Sequence, residues 1–428
     1  MRISNERIAL LAIFIAGLVL RLLMIYPFGH LLGEDTYFHR DLVRFLLDGG
    51  GVAQFNVEDW GTLHPYFLSL SAKLQSYPYG FHLILYPIAK VFGESSFRYA
   101  PSLLTSFIPV AIYLFMKEFS GRGDIALAAA VFYTVPNVIA FSVLLLPQSL
   151  GMLMLPLALW LYLRTEYGGV VGALFSFVHP FSCVVIMVAM FTLSLYRHEY
   201  RKFAKVFTLS AIVISIYVAI TLTMSDPGST FSMTSPRFVF YGVQRYVSAF
   251  SVALLFPIGL LFMRERREWY LVVGALLFAF ASFFQISNLP PERMFNFLAF
   301  FLACIAAYMV RGFCSREGKA VFMGALIVVS MTACTDIFGQ IGPAYVEIAS
   351  WEFINEQTMD DVVVWGWDRY PQIYTTERSI ILSPHEDMDY ICPESHTLGK
   401  AIIEQYMHSD WVGVIYDNYV PVMVTYDR

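Results

Sequence analysis

The sequence predicts an α-helical polytopic membrane protein carrying a small C-terminal α/β domain, on three observations. Hydrophobic residues fill 57% of the 428 positions and charged residues only 14%, with a mean hydropathy of +0.60, whereas a water-soluble domain carries about 25% charged residues. Apolar runs of roughly 20 residues, the length that crosses about 30 Å of hydrocarbon at 1.5 Å per residue, recur up to residue 338. Beyond residue 339 they give way to short apolar segments separated by polar ones. The net charge of -5, with basic residues dispersed, excludes the concentrated basic surface that a nucleic-acid partner requires.

Apolar runs between charged residues predict spans near 8–26, 99–116, 124–140, 148–163, 168–178, 180–196, 206–224, 246–263, 269–286, 294–310 and 320–337, about eleven in all. The first is too long for the core of a signal peptide, and no small-residue cleavage site precedes Pro27, so it is expected to remain as a span. The run from Phe81 to Phe92 contains Pro87 and is too short to cross, which predicts an interfacial or re-entrant helix. Of the five cysteines, Cys183, Cys304, Cys314 and Cys334 fall in or beside spans and Cys392 in the tail, so neither a disulfide framework nor a CxxC site is expected.

Loop charge gives the orientation. With the N-terminus inside, alternate loops hold Arg2, Arg7, Lys117, Arg122, Arg164, Arg197, Arg201, Lys202, Lys205, Arg264, Arg266, Arg267, Arg311, Arg316 and Lys319, while the opposite short loops hold Arg237, Arg245 and Arg293. The positive-inside rule then places the N-terminus in the cytoplasm and the C-terminal domain outside; the expected location is the plasma membrane of a prokaryote. Two regions share that outer face: residues 27–98, the first outer loop of a membrane domain spanning 1–338, and the soluble domain 339–428. In the tail, 362–366, 379–383, 411–416 and 420–426 read as strands alternating with helix-like stretches.

An ionisable group beside a membrane is costly unless it has a use, so GHLLGEDTYFHR, with Glu34, Asp35 and His39, is the first candidate site. Phe38, Leu42, Phe45 and Leu46 follow at helical spacing, predicting an amphipathic helix on the membrane surface that starts near Thr36. The acidic pair could equally cap that helix. Arg293, opening a span on the same face, suits a phosphate because its planar fork donates two hydrogen bonds, or it anchors the span by snorkelling. Arg21, Arg237 and Arg245 rank behind it and read first as interfacial anchors. His64 and His82 carry low weight, and His179, beside Pro180, reads as a helix breaker.

DTYFHR after the first span resembles the DPWFNYR-type motif in the first outer loop of oligosaccharyltransferase catalytic subunits, which belong to the GT-C class of membrane glycosyltransferases. The order of elements is similar, and WGWDRY at residues 365–370 resembles a degenerate WWDYG motif. The resemblance implies a GT-C-like membrane domain and transfer of a sugar or oligosaccharide from a polyprenyl phosphate or diphosphate, with inversion, to a protein or glycan acceptor on the outer face. It makes Asp35 the base, Glu34 the group that tunes it or shares a metal, and His39 an orienting residue. Arg293 and then Arg237 would hold the donor phosphate, and Trp367 and Asp368 the acceptor. The family's second acidic motif would fall at Pro147, Gln148 and Ser149, which are neutral. A divalent cation, Mg2+ or Mn2+, between Asp35 and Glu34 is therefore expected to be weakly held. The rival readings are a GT-C transferase using a lipid-linked monosaccharide, a lipid or solute transporter, and a catalytically inactive scaffold.

Overall fold

A computed structural model describes residues 5–26, 31, 34–47, 80–93, 95–165, 168–224, 237–238, 243–285 and 291–335, together with strand residues 363–366, 379–381, 390–392, 412–418 and 420–425. The chain divides into two compact units, one holding residues 1–44, 78–220 and 230–341 and the other residues 45–77, 221–229 and 342–428.

The first unit is helical, and prolines set its punctuation. Helix α1 runs Asn5–Ile25, α2 Glu34–Leu47, α3 Gly80–Phe92, α4 Ser95–Thr105, α5 Ile108–Ser120 and α6 Gly123–Phe132. There follow α7 Pro136–Val143, α8 Pro147–Arg164, α9 Gly168–Leu174, α10 Pro180–Arg197, α11 Tyr200–Met224 and α12 Val243–Phe250. Helices α13 Phe256–Leu260, α14 Trp269–Phe283, α15 Phe295–Ala306 and α16 Arg316–Thr335 complete the unit. Pro136, Pro147 and Pro180 each open a helix, and the residues before them, Val135, Leu146 and His179, are extended. A proline suits the first helical position and forces its predecessor out of the α region.

These breaks shorten what the sequence predicts as spans. Among the described residues three helical stretches are long and apolar enough to cross a membrane by length and composition, Ser95–Ser120, Pro180–Arg197 and Phe295–Gly312. The predicted span 124–140 is α6 and α7 separated by an extended turn, and the predicted span 246–263 is α12, a 3-10 segment and α13. Helix α3 keeps Pro87 internal and has 13 residues, about 20 Å, too short to cross.

Exposure identifies the solvent. In α1, beyond Arg7 at its start, the exposed large side chains are Ile8, Leu11, Ile15, Val19 and Leu23, while Gly17 and Arg21 turn inward. In α10 Val184, Val188, Phe191 and Leu195 face out and Ser182, Thr192 and Ser194 face in. Apolar stripes outside with small and polar residues inside are the pattern that lipid selects, and the chain is a helical membrane protein.

Helix α15, FNFLAFFLACIA, has no polar face and is buried over its whole length, as a helix apolar on all sides must be. Its neighbours approach closely. A Cβ on Gly259 of α13 would stand 2.1 Å from the Ile305 carbonyl oxygen, and one on Gly274 of α14 2.3 Å from the Phe301 ring. The Phe278 and Phe301 rings stack at 5.2 Å.

Ion pairs tie together turns that the loop-charge reading puts on one side. Arg164 pairs with Glu118 at 2.9 Å and Lys319 with Asp124 at 2.7 Å. Glu268 is fully buried and receives the Arg311 guanidinium bidentately, Nη2 to Oε1 at 2.6 Å and Nη1 to Oε2 at 3.1 Å. The backbone amides of Arg264 and Glu265 also donate to Glu268 Oε2, at 2.6 and 3.0 Å. Burial pushes this carboxyl up, and the four hydrogen bonds outweigh it and bring it below its ordinary value.

In the second unit the described residues form a five-stranded sheet in the order β4-β3-β5-β7-β6. The strands are β3 Val363–Gly366, β4 Ser379–Ile381, β5 Tyr390–Cys392, β6 Val412–Asn418 and β7 Val420–Thr425. Strand β3 runs parallel to β4 and β5, and β7 antiparallel to β5 and β6. Four of these strands lie on the four predicted segments; β5 is additional. Parallel neighbours require long crossover connections, and the stretches predicted as helical there lie outside the described residues.

Candidate active site

The acidic pair opens α2, with Glu34 and Asp35 in its first turn, where a carboxylate complements the positive end of the helix dipole. Their side chains lie outside the described residues. Thr36 is buried, and its hydroxyl accepts a hydrogen bond from the Leu145 amide at 3.3 Å. The start of α2 is thereby fastened to the extended turn between α7 and α8.

One turn along α2, His39 is buried and its Nδ1 lies 3.0 Å from Nε2 of His82 on α3, with the Phe81 ring against it edge-on at 5.2 Å. Burial holds His39 well below the ordinary histidine range, and the facing His82 and His179 rings add to the effect. Burial likewise brings His82 down to about 3. The two rings are a neutral, hydrogen-bonded pair at working pH. His179, read from sequence as a helix breaker, is the N-cap of α10. Its ring accepts from the Ser182 amide at 3.3 Å and lies 2.7 Å from the Ser182 hydroxyl. Burial first, then the charge of Arg293, lowers it to about 3.

Gly80 sets the approach of α3 to this group. A Cβ there would stand 2.5 Å from the Phe177 carbonyl oxygen, so Gly80→Ala is expected to displace the start of α3 and with it His82. The expected cost is about 1–3 kcal/mol, measured as unfolding free energy in detergent micelles; wild-type stability would show that α3 shifts freely.

Arg293 lies in the 3-10 turn Pro291–Met294 leading into α15, half-buried. Its carbonyl accepts from Gln148 Nε2 at 2.9 Å. Gln148 belongs to the first turn of α8, where the second acidic motif was sought. The Ser149 hydroxyl beside it donates to the Phe141 and Leu144 carbonyls, at 2.7 and 3.0 Å, so this turn carries hydrogen bonds in place of carboxylates. The α7–α8 turn and the first turn of α8 thus join the start of α2 to the Arg293 segment.

Other candidates are placed differently. Arg237 is in strand β1, Arg237–Phe238, paired antiparallel to β2, Phe284–Gln285, with Arg237 opposite Gln285; its side chain is outside the described residues. Arg21 is buried rather than interfacial. Arg245 lies in α12. His64, Trp367 and Asp368 lie outside the described residues. Among the described residues no group of three or more His, Cys, Asp or Glu gathers as a metal site.

No protein-family model and no curated protein matches this chain. Solved structures of the oligosaccharyltransferase of the archaeon Archaeoglobus fulgidus do match. Its apo form matches with a TM-score of 0.61 at 12% identity, covering 91% of this chain and 69% of that one. The complex with Zn and sulfate gives 0.58 at 11% identity, covering 91% and 68%. The complex with an inhibitory peptide and a dolichol-phosphate gives 0.52 at 11% identity, covering 90% and 69%. At such identities the likeness is one of architecture, and the chain has an oligosaccharyltransferase-like fold.

Proposed function

We propose that this chain is a membrane glycosyltransferase of GT-C type that moves a sugar or oligosaccharide from a polyprenyl (di)phosphate donor to a peptide acceptor on the non-cytoplasmic face. The reading rests chiefly on the start of α2, where an acidic pair opens a helix fastened to Leu145, three residues before the Gln148 that holds the Arg293 carbonyl. That an architectural neighbour binds an inhibitory peptide and a dolichol-phosphate supports both halves of the substrate assignment.

Asp35 takes the proton that the acceptor loses as it attacks the anomeric carbon. The bond from that carbon to the phosphate oxygen breaks in the same displacement, inverting the centre, and the charge left on the lipid phosphate falls to Arg293, with Arg237 second. Glu34 tunes the Asp35 carboxyl upward, because two adjacent carboxylates disfavour double ionisation, and His39, neutral and held by His82, orients the acids. Trp367 and Asp368, just past β3, contact the acceptor. A divalent cation, Mg2+ or Mn2+, bound by Asp35 and Glu34 would polarise the donor phosphate.

Purified protein given a lipid-linked pool of radiolabelled glycan and an acceptor peptide is expected to label the peptide. An unlabelled peptide, or residue 35 reacting from the cytoplasmic side in a cysteine-accessibility scan, overturns the reading. Chelator is expected to slow transfer, and chelator-insensitive transfer removes the cation.

A further inference from the structure

Gln148 is the only amide side chain in α8, and it is 4% exposed. An amide taken out of water is costly unless its hydrogen bonds are made, so packing alone would favour an apolar side chain at this place. Its Nε2 donates to the Arg293 carbonyl at 2.9 Å, 145 residues away in the chain. Because a carbonyl only accepts, the amide must present its nitrogen on this side. The helix that carries Gln148 is itself held. The Ser149 amide donates to the Leu146 carbonyl at 3.0 Å, and the Ser149 hydroxyl to the carbonyls of Phe141 and Leu144. One turn on, Gly151 lets α10 close in, since a Cβ there would stand 2.2 Å from Ser182 Oγ. Ser182 holds the His179 ring, which the charge of Arg293 reaches. The first two turns of α8 thus carry the group that grips the Arg293 main chain and back the ring that its charge acts on.

Arg293 benefits from such a grip because its own turn is weakly held. Pro291–Met294 is a 3-10 turn, and 3-10 hydrogen bonds are less well aligned than those of an α-helix. Pro290 and Pro291 bring no N–H to it. A guanidinium on a loose root sweeps a wide arc, whereas a bidentate bond to phosphate needs distance and angle together. We infer that Gln148 is a positioning residue for the donor phosphate: by holding the Arg293 carbonyl it fixes the root from which the guanidinium meets the phosphate of a polyprenyl phosphate. This rests on the donor half of the transfer reading above, in which Arg293 takes the phosphate.

A residue that acts through another leaves a signature that packing does not. Gln148→Met keeps the length of the side chain and has no donor, so a packing role predicts little change. A positioning role predicts weaker phosphate binding, and only while Arg293 is present to be positioned. In transfer, the KM for the lipid-linked donor rises and the KM for the acceptor peptide stays.

The experiment is the binding of dolichyl phosphate, a polyprenyl phosphate without a sugar, to the full-length purified protein in detergent micelles, which needs no transfer. Gln148→Met is expected to weaken binding about three- to tenfold at an unchanged melting temperature, and Arg293→Ala to weaken it further. The double variant is expected to bind no worse than Arg293→Ala alone. Wild-type affinity in folded Gln148→Met overturns the inference, and so do losses that multiply in the double variant, because Gln148 then acts without Arg293. Wild-type affinity in Arg293→Ala overturns it as well, since no phosphate contact is left to position. If Gln148→Met does not fold, Gln148→Leu, likewise without a donor, is read by the same criteria. A protein that binds in the expected pattern but labels no peptide keeps the inference and sinks the transfer reading.

Discussion

Asp35→Ala is expected to lower glycan transfer by roughly a hundred- to ten-thousand-fold while leaving the folded yield and melting temperature close to wild type. The rate loss follows from the proton that the attacking acceptor must shed: without a carboxylate within reach, no positioned group accepts it as the new bond forms. Folding should be little affected because the start of α2 is secured independently, by the Thr36–Leu145 bond and by the His39–His82 pair. The dipole contribution of one first-turn acid is about 0.3–1 kcal/mol, and Glu34 remains to supply part of it. Asp35→Asn separates the roles, since it keeps the shape and loses the base. Transfer of labelled glycan within threefold of wild type by either variant would remove Asp35 from the chemistry. Glu34→Ala is expected to slow transfer less than Asp35→Ala, and the reverse order would exchange their roles.

The largest expected effect on stability lies far from these acids. Arg311→Ala leaves Glu268, which is 0% exposed, without the guanidinium that fills both its oxygens. Breaking a buried pair by removing one partner costs about 3–5 kcal/mol, because the remaining charge stays dehydrated. Glu268→Gln combined with Arg311→Met is expected to cost less than Arg311→Ala, since no buried charge is then stranded. Denaturation in detergent micelles measures both, and a double variant less stable than Arg311→Ala would mean that the pair acts mainly through packing. The sign of the pH dependence follows from the lowered Glu268 carboxyl. A group whose folded value lies below its unfolded value stabilises the fold above the unfolded value and loses that contribution as pH falls through the folded one. The pair should therefore hold at neutral pH and fail only below the ordinary glutamate range, about 4.3.

How much of this was legible in the sequence depends on the range of the interaction. Local signals read well. The helical spacing of apolar residues in DTYFHRDLVRFLL predicted a helix, observed as Glu34–Leu47 with Leu42 and Leu46 buried, and the length of the run ending at Phe92 predicted the short helix α3. The tail strands were visible as apolar stretches of the right length, whereas β5, three residues in Tyr390–Cys392, is too short to leave a pattern. Breaks within spans were less legible because hydropathy averages over them. Val135 is apolar and reads as part of a span, and it is Pro136 that forces its backbone out of the helix.

Tertiary contacts were not legible at all. His82 and His179 carried little weight as lone histidines because no spacing links them to His39, which meets them only when α3 and α10 pack. Gln148 sat at a suspected motif position, but nothing local signals its bond to the Arg293 carbonyl. Arg21 looked like an interfacial anchor because it stands near the end of a span, and only the convergence of Thr105 and Ser142 reveals otherwise. The sequence cue that could have been weighed is Gly17, one turn before it on the same face.

The burial of α15 on every side bears on how the molecule is made. Its close neighbours α6, α13 and α14 all precede it in the chain, so they emerge from the ribosome before the helix they pack around. They cannot close on each other without leaving it a berth, and until residue 312 has been synthesised that berth is an open seam for lipid or a chaperone. A chain truncated before Pro291 should therefore insert into the membrane yet remain sensitive to protease along α13 and α14, whereas one extended past Gly312 should resist; equal resistance would mean that the bundle closes without its central helix. Folding of this unit is in that sense a late event, completed from the C-terminal side.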